Sequence, residues 1–179
     1  MVLWLTGLSG AGKSTIAQAV HALAKPRMPG LVLIDGDVIR ALFGAGLGYK
    51  EADRYQQIGR IQRLAGMLSG QDIRVIVAAL YCHPDLMAWN RANLPGYFEV
   101  YVDAPLNLVR QRDVKGLYAR ALAGETSDVV GVDIPWHAPQ APDLIIDTAN
   151  ETPAQSARRL MQAVPWLAEL VSTGGRNDG

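Results

Sequence analysis

Gly7-Leu8-Ser9-Gly10-Ala11-Gly12-Lys13-Ser14 is a complete G-x-x-x-x-G-K-S sequence, and it follows the apolar run from Val2 to Leu5. The glycines of such a loop let several backbone N–H groups turn inward toward phosphate oxygens. Lys13 adds a positive charge over the outer phosphates, and the Ser14 hydroxyl is of the type that ligates Mg²⁺. A helix beginning near Lys13 adds the positive end of its dipole. The stretch therefore predicts a strand, a loop that holds nucleotide phosphates, and a helix, in that order.

Apolar runs of strand length recur along the chain, and the segments between them mostly have helical spacing. The runs lie at Val2–Leu5, Leu31–Ile34, Ile73–Leu80, Phe98–Val102 and Leu144–Ile146. Two of the helical stripes are Ile16, Val20, Leu23 and Ala24, and Ile58, Ile61, Ala65 and Leu68 in a longer helix beginning near Glu51. This alternation predicts an α/β fold in three layers, with a parallel five-stranded sheet between helices. A last helix, with Ala157, Leu160, Met161, Val164, Leu167 and Val171 on one side, is expected to bend at Pro165.

The composition indicates one domain and excludes several classes of partner. With 179 residues, 49% of them hydrophobic, the chain has enough material for one sizeable core. We expect that domain to span residues 1–171, followed by a disordered polar tail at 172–179. Seventeen basic and seventeen acidic side chains cancel, which argues against a nucleic-acid or membrane-surface partner.

The sequence also indicates a cellular compartment. The single Cys82 excludes an internal disulfide, and no apolar run approaches the length that spans a bilayer. The phosphate loop begins at residue 7, which leaves no room before it for a signal peptide. We therefore expect a cytoplasmic protein.

One segment does not fit the alternation. Between Asp113 and Pro142 the chain carries three glycines and three prolines with charged residues among them, at Gly116, Gly124, Gly131, Pro135, Pro139 and Pro142. Irregular segments of this length in a compact domain usually have a function. In a phosphate-transferring enzyme that function is a lid that closes over the reacting groups and excludes water. A long surface loop is the alternative that length and composition leave open.

Polar residues follow the second predicted strand at the edge where ligands bind in open α/β sheets. Asp35 and Asp37 flank Gly36 there, and such carboxylates order Mg²⁺ with its waters or accept the proton of an attacking hydroxyl. Asp37 is equally suited to cap a helix, and the two roles are compatible. Arg40, one helical turn later, and Arg54 are each able to point a guanidinium at an anionic acceptor.

Together these residues resemble the adenylyl-sulfate kinase family, whose members use MgATP to phosphorylate the ribose 3′-hydroxyl of adenylyl sulfate. The similarity runs from Val2 to about Thr148 and is most diagnostic in Arg112-Asp113-Val114-Lys115-Gly116-Leu117-Tyr118. It also includes Thr15 after the phosphate loop, Leu47-Gly48-Tyr49, Asp53-Arg54 and Gly131-Val132-Asp133. The resemblance implies a P-loop kinase fold in which the segment at about 113–142 is the lid.

The resemblance also implies roles for particular residues. Lys13, Asp37 and Lys115 would be catalytic, with Asp37 activating the acceptor hydroxyl, and Ser14 would ligate Mg²⁺. The residues that would bind ATP are Gly7, Ser9, Gly10, Ala11, Gly12, Lys13, Ser14, Thr15 and, near its base, Arg112. Those that would bind the acceptor are Asp35, Arg40, Tyr49, Arg54, Gln57, Lys115, Gly116, Leu117, Val129 and Val130. The family is commonly dimeric, so the resemblance further implies a homodimer.

Departures from the family are concentrated on the acceptor side. Where the family encloses the acceptor adenine between two phenylalanines, this chain has Tyr49 and Val129. Gln57 stands in place of an asparagine and Gly59 in place of an arginine. Further changes fall at Leu80-Tyr81-Cys82, in place of Ile-Ser-Pro, and at Trp136-His137, in place of Tyr-Glu. If the same base is bound, losing one face of the base sandwich costs on the order of 1–3 kcal/mol.

The sequence thus predicts an ATP-dependent kinase with a small nucleotide as acceptor, adenylyl sulfate by default. The alternative is the same chemistry on a cytidine nucleotide such as cytidine diphosphoramidate, the acceptor of a subgroup that resembles adenylyl-sulfate kinase. A more remote alternative is a protein that binds nucleotide without catalysis. Such a protein would have no use for Asp37, Lys115 and the lid, which act on an acceptor.

Overall fold

Five parallel strands form the centre of the fold in the computed structural model, which describes residues 1–113 and 116–173. Their order across the sheet is β2-β3-β1-β4-β5. The bounds are β1 Val2–Thr6, β2 Val32–Asp35, β3 Val75–Ala78, β4 Phe98–Asp103 and β5 Leu144–Asp147. Each strand lies within or next to one of the five apolar runs, so the predicted parallel α/β sheet is confirmed.

Strand β1 occupies the centre of the sheet, between β3 and β4. Its Leu5 pairs with Ala78 on one side and with Val100 on the other. All five residues of Val2–Thr6 are fully buried, as expected for a parallel strand covered on both faces. Because ligands of open α/β sheets bind beyond the carboxyl ends of the strands, the loop after β1 emerges in the middle of the ligand-binding edge.

Helices flank this sheet, and those at both ends of the chain pack together. Their bounds are α1 Lys13–Ala24, α2 Gly36–Leu42, α3 Glu51–Ser69, α4 Pro84–Asn93, α5 Leu106–Arg112, α6 Leu117–Leu122, α7 Pro153–Ala163 and α8 Pro165–Thr173, with a short 3-10 helix at Gly44–Gly46. Helix α1 packs against α7, and α3 packs against both α4 and β3. Within the described ranges, none of these helices combines the length and the apolar character needed to cross a membrane.

The last predicted helix is broken in two, which corrects the expected bend at Pro165. Val164, between α7 and α8, has an extended backbone with ψ of 118°. Proline disfavours a helical conformation in the residue before it, so the chain leaves the helix at Val164 and begins a new one. Val171, expected on the buried side, is 50% exposed. Helix α8 ends at Thr173, two residues beyond the expected end of the domain at 171, and the rest of the expected tail lies outside the described residues.

The predicted lid segment at 113–142 contains a six-residue helix, α6, that the sequence did not predict. Asp113 stabilises its first turn by accepting the N–H groups of Tyr118 at 3.2 Å and Ala119 at 2.9 Å. The N–H of Ala119 above all, against desolvation and helped by the N–H of Tyr118, holds the pKa of the Asp113 carboxyl below its usual value. Gly116, in the left-handed conformation with φ of 60°, begins the helix.

Candidate functional site

The phosphate loop has the tight, glycine-dependent path that its sequence predicts. A Cβ atom on Gly7 would lie 2.3 Å from the carbonyl oxygen of Val102, so only glycine fits against β4 at this point. Gly12, at the start of α1, has φ of 103°, which other residues rarely adopt. The loop therefore leads into α1 at Lys13, as predicted.

Lys13 lies across the loop that precedes it. Its Nζ donates hydrogen bonds of 2.8 Å to the carbonyl oxygens of both Gly7 and Leu8. The ammonium group is thus held over the concave side of the loop, close to backbone groups that enclose phosphates in proteins of this kind. The catalytic role of Lys13 stays a prediction.

Ser14 joins the phosphate loop to the end of β2. Its hydroxyl donates a 2.5 Å hydrogen bond to Asp35 Oδ2, while Asp35 Oδ1 accepts the N–H of Asp37 at 2.9 Å. Asp35 is therefore the N-cap of α2, and Asp37 lies within its first turn. The helix-capping role considered for Asp37 is wrong, because the residue before Gly36 reaches the free N–H groups first.

Arg40 and Arg54 both lie over the ring of Tyr49. The guanidinium carbons lie 4.7 Å and 5.6 Å from the centre of the Tyr49 ring. Arg40 donates to the carbonyl oxygens of Leu47 and Gly48, at 3.2 and 2.6 Å. Tyr49 itself is exposed, and its ring makes cation–π contacts with both arginines.

Arg54 is the more deeply placed of the two cations. It is 9% exposed and donates to the carbonyl oxygens of Tyr49 at 2.8 Å and Asp128 at 2.6 Å. Burial, followed by the nearby charge of Arg40, lowers the pKa of Arg54 from its usual value. Two cations held this close favour an anion between or beside them.

Gln57 lies one helical turn after Arg54 and is 4% exposed. Neither the oxygen nor the nitrogen of its side-chain amide has a hydrogen-bond partner among the described residues. Leaving a buried polar group unpaired costs about 1–3 kcal/mol. An amide of this kind at the wall of a cleft is typical of a group that is satisfied by a bound molecule.

Tyr118, in α6, connects the predicted lid segment to the phosphate loop. Its hydroxyl donates a 3.2 Å hydrogen bond to the carbonyl oxygen of Ser9, and the residue is fully buried. Burial, with a smaller effect of Asp113, raises the pKa of the Tyr118 phenol to about 12, so the phenol stays a donor at neutral pH. Residues 109 positions apart are thereby held together, a contact that no sequence pattern indicated.

A single cleft of about 660 Å³ brings most of the predicted residues together. Those that line it are Ser9, Gly10, Gly12, Lys13, Ser14, Thr15, Asp35, Asp37, Arg40, Tyr49, Arg54, Gln57, Leu117, Val129 and Val130. The cleft wall does not include four other predicted residues, Gly7, Ala11, Arg112 and Gly116. Arg112 instead donates hydrogen bonds to the hydroxyl and carbonyl oxygens of Thr148, at 3.1 and 2.6 Å. Lys115, predicted to be catalytic, lies outside the described residues.

The cleft also includes residues that the sequence reasoning did not assign to the site. They are Gly36, Ile58, Ile61, Ala78, Ala79, Leu80, Tyr81, Asp113, Tyr118, Arg120, Thr126, Ser127 and Asp128. Ala78, the last residue of β3, and the residues after it could have been found, because they lie at the same edge of the sheet as Asp35, the last residue of β2. Tyr81, noted only as a departure from the family, turns its hydroxyl to Glu51 at 2.7 Å.

Comparison with known proteins shows extensive similarity. The family model described as Adenylylsulphate kinase matches residues 1–147. The adenylyl-sulfate kinase of Deinococcus deserti is 42% identical over 160 residues, covering 89% of this chain and 88% of that protein. The adenylyl-sulfate kinase of Myxococcus xanthus is 40% identical over 168 residues, covering 91% and 90%. A solved structure of the Mycobacterium tuberculosis APS kinase CysC with AMPPNP and APS superposes with a TM-score of 0.83 at 32% identity, covering 90% of this chain and 95% of that one.

Proposed function

The chain belongs to the adenylylsulphate kinase family, and from that premise we propose that it transfers the γ-phosphoryl group of ATP to the ribose 3′-hydroxyl of adenylyl sulfate. One observation carries the proposal: the phosphate loop and the two arginines beside Tyr49 lie in the same cleft. A phosphate loop holds one nucleotide, and paired guanidinium groups favour a second anionic molecule next to it. The cleft is therefore suited to two nucleotides, a phosphoryl donor and an acceptor.

The phosphate side of the cleft supplies charge compensation. The backbone N–H groups of the loop and the Lys13 ammonium would hold the outer phosphates of ATP. Ser14 and Asp35 offer a hydroxyl and a carboxylate oxygen 2.5 Å apart, and such oxygen donors fit Mg²⁺, directly or through its waters. When bound, Mg²⁺ would neutralise part of the charge on the transferring group.

Asp37 is the residue we assign to the acceptor hydroxyl. Its position in the first turn of α2 is fixed by the hydrogen bond from its N–H to Asp35, and it lines the cleft. In the transfer, the hydroxyl oxygen bonds to the γ-phosphorus as the bond from phosphorus to the β–γ bridging oxygen breaks. ADP leaves, and the hydroxyl proton passes to the Asp37 carboxylate.

On the acceptor side, different residues would bind the charged groups and the base of the acceptor. Arg40 and Arg54 would hold the phosphate and sulfate of adenylyl sulfate, with Tyr49 and Val129 beside the base. The lid, residues 113–142, would close over both nucleotides with Lys115, Gly116 and Leu117, and so keep water from the phosphoryl group. The donor base would lie near Arg112.

One observation favours a second acceptor. Val129 and Val130 are almost fully buried in the cleft wall, at 1% and 2% exposure. Val129 stands where the family resemblance implies a phenylalanine that stacks on adenine. A smaller base, as in a cytidine nucleotide such as cytidine diphosphoramidate, would need less stacking surface. The transfer reaction would be unchanged.

The test is ADP release from MgATP with adenylyl sulfate, cytidine diphosphoramidate or CDP as acceptor, against a control without acceptor. We expect turnover with adenylyl sulfate at a much lower KM than with either cytidine nucleotide. Preference for a cytidine acceptor would contradict adenylyl sulfate as the acceptor, but it would leave the proposed phosphoryl transfer in place. ADP release that no acceptor stimulates would overturn the proposal.

We also propose that two copies of the chain form a homodimer, as the family resemblance implies. Light scattering coupled to size-exclusion chromatography tests this. A mass of twice 19.3 kDa is expected, and a mass of 19.3 kDa at micromolar concentration would contradict it.

A further inference from the structure

Residues 128–134 form a compact loop at the cleft, which we call the acceptor loop. The Val129 carbonyl oxygen accepts the N–H groups of Val132, Asp133 and Ile134, at 3.0, 3.1 and 3.2 Å. The N–H of Gly131 donates to Ile134 at 2.9 Å, and Val130 and Ile134 form an isolated β-bridge. The loop thus closes on itself through backbone contacts.

The carboxylate of Asp133 ties the start of this loop to its end. Its two oxygens accept the N–H groups of Asp128 and Val129, each at 2.5 Å. Asp128 has φ of 64°, a backbone conformation that is uncommon for residues with a side chain. Desolvation opposes the charge of Asp133, but the N–H groups of Val129 and Asp128 outweigh it and hold the pKa of Asp133 below its usual value.

The residues that Asp133 holds are those that face the cleft. Asp128, Val129 and Val130 line it, whereas Asp133 does not. The Asp128 carbonyl oxygen accepts a 2.6 Å hydrogen bond from Arg54, the buried cation of the acceptor side. A chain of direct contacts therefore leads from the Asp133 carboxylate through Asp128 to the Arg54 guanidinium.

The other side of the acceptor loop packs against the phosphate side. A Cβ atom on Gly131 would lie 3.3 Å from Leu8 and 3.5 Å from Leu106, so the loop backbone approaches the phosphate loop closely. The φ of 88° at Gly131 is likewise one that glycine tolerates. The acceptor loop is thus held between the phosphate loop and Arg54.

We propose that Asp133 is a positioning residue for the acceptor: its carboxylate fixes Asp128 and Val129, and through them the Arg54 guanidinium and the wall that meets the acceptor base. This inference rests on the proposed function and adds a residue that does not touch either nucleotide. It makes acceptor binding, and not ATP binding, depend on an exposed carboxylate outside the cleft.

The test compares Asp133→Asn and Asp133→Ala with the matched variant Asp147→Asn. Asp147, the last residue of β5, also has a carboxylate that accepts a backbone N–H, that of Ala149 at 2.9 Å, but it does not line the cleft. Asparagine at 133 keeps one acceptor oxygen and turns an NH₂ group toward the other N–H, so it should raise the acceptor KM about 5- to 10-fold. Alanine should raise it further, while the KM for MgATP changes less than 2-fold in both. Asp147→Asn should leave the acceptor KM unchanged.

A double-mutant cycle with Arg54→Ala separates an effect of Asp133 that acts through Arg54 from a general loss of order in the acceptor loop. Because part of the effect of Asp133 passes through Arg54, the rise in acceptor KM in the double variant should be clearly smaller than the product of the two single rises. KM increases that multiply would overturn the inference, as would an unchanged acceptor KM in Asp133→Asn, or an equal rise in the KM for MgATP.

Binding measurements keep the two proposals distinguishable. Calorimetric titration of adenylyl sulfate into the ADP-loaded protein should show the same weakening in Asp133→Asn, without any need for turnover. Because the Asp133 side chain is exposed, the asparagine variant is expected to fold, and Asp133→Glu, which keeps the charge, should lose less affinity than Asp133→Ala. Wild-type protein that binds and phosphorylates no adenylyl sulfate would instead reject the proposed acceptor.

Discussion

Ser14 and Asp35 share a 2.5 Å hydrogen bond between the hydroxyl and Oδ2, and the second oxygen of the same carboxylate caps helix α2 through the N–H of Asp37. One side chain thus organises both the proposed Mg²⁺ site and the start of the helix that carries Asp37. These two tasks respond differently to mutation, because capping needs an oxygen acceptor and Mg²⁺ binding favours a negative charge.

The Asp35→Asn variant separates the two tasks. Asparagine is as good a helix cap as aspartate, so the free energy of unfolding should stay within about 0.5 kcal/mol. Loss of the charge should raise the Mg²⁺ concentration for half-maximal activity by about 10- to 100-fold. Asp35→Ala should show the same Mg²⁺ defect and lose about 1 kcal/mol of stability as well. Asp85→Asn, in the first turn of α4, is the control, and an unchanged Mg²⁺ requirement in Asp35→Asn would contradict the assignment.

Lys13→Ala should remove transfer and keep the fold. Its Nζ contacts only add to a loop whose path the glycines already permit, so urea unfolding should shift little. Loss of the ammonium charge over the phosphates should lower kcat by at least about 100-fold. Lys25→Ala, which removes the 2.8 Å contact to Leu31 near the other end of α1, should leave kcat unchanged. A Lys13→Ala enzyme with near-normal turnover would contradict the proposed reaction.

The elements around these residues could be predicted because their signals are local. Val2–Leu5 is apolar throughout and is followed by glycines, so both β1 and the start of α1 at Lys13 are found from neighbouring residues alone. Helix α3 begins at Glu51 as expected, since its apolar stripe continues for several turns. The edge position of Asp35 and Asp37 follows from the general rule for ligand sites in parallel sheets.

The remaining features depend on contacts between distant residues. Helix α6 is short and lies between Gly116 and Gly124, so it has no apolar period that a sequence could display. Leu23 shares the stripe of α1 but is 54% exposed, because a helix buries only the residues that face its neighbours. Two contacts form only in the folded chain, that of Tyr118 with Ser9 and that of the Asp133 carboxylate with the N–H of Asp128. No sequence motif indicates either of them.

Arg54→Ala should weaken the acceptor specifically. A charge-assisted hydrogen bond to the acceptor's anionic group contributes about 1.5–3 kcal/mol, so the acceptor KM should rise about 10- to 100-fold. Arg60→Ala is a suitable control, because Arg60 lies over the Phe43 ring and is not at the cleft wall. Initial rates at saturating MgATP measure the effect. Equal acceptor KM values in the two variants would contradict the position of the acceptor.

Tyr118→Phe tests the connection between helix α6 and the phosphate loop. The variant removes the hydroxyl that donates to Ser9 and keeps the buried ring, so packing should be preserved. Loss of one buried hydrogen bond, about 1 kcal/mol, should reduce kcat/KM for MgATP by about 5-fold. Tyr55→Phe, on an exposed ring beside His83, provides the control. If both variants behave like the wild type, Tyr118 does not hold the phosphate loop.

The buried thiol of Cys82 should make the free energy of unfolding fall at alkaline pH. Burial, and then the charge of Glu99, raises the pKa of Cys82 from 9.0 to about 12. Between those values the unfolded chain loses this proton and the folded protein keeps it, so stability falls as pH rises. Urea unfolding at pH 8 and pH 10 should therefore show that the difference between wild type and Cys82→Ala shifts by about 1 kcal/mol in favour of the variant. A pH-independent difference would contradict the raised pKa.

The most direct test of the proposed reaction is to follow the γ-phosphoryl group itself. Wild-type protein is incubated with radiolabelled [γ-³²P]ATP, Mg²⁺ and adenylyl sulfate, and the product is identified by chromatography and mass spectrometry. We expect the label to appear in 3′-phosphoadenylyl sulfate, and an acceptor that lacks the 3′-hydroxyl to gain none. Label that stays in ATP, or that is released only as inorganic phosphate while adenylyl sulfate remains unmodified, would contradict the proposed reaction.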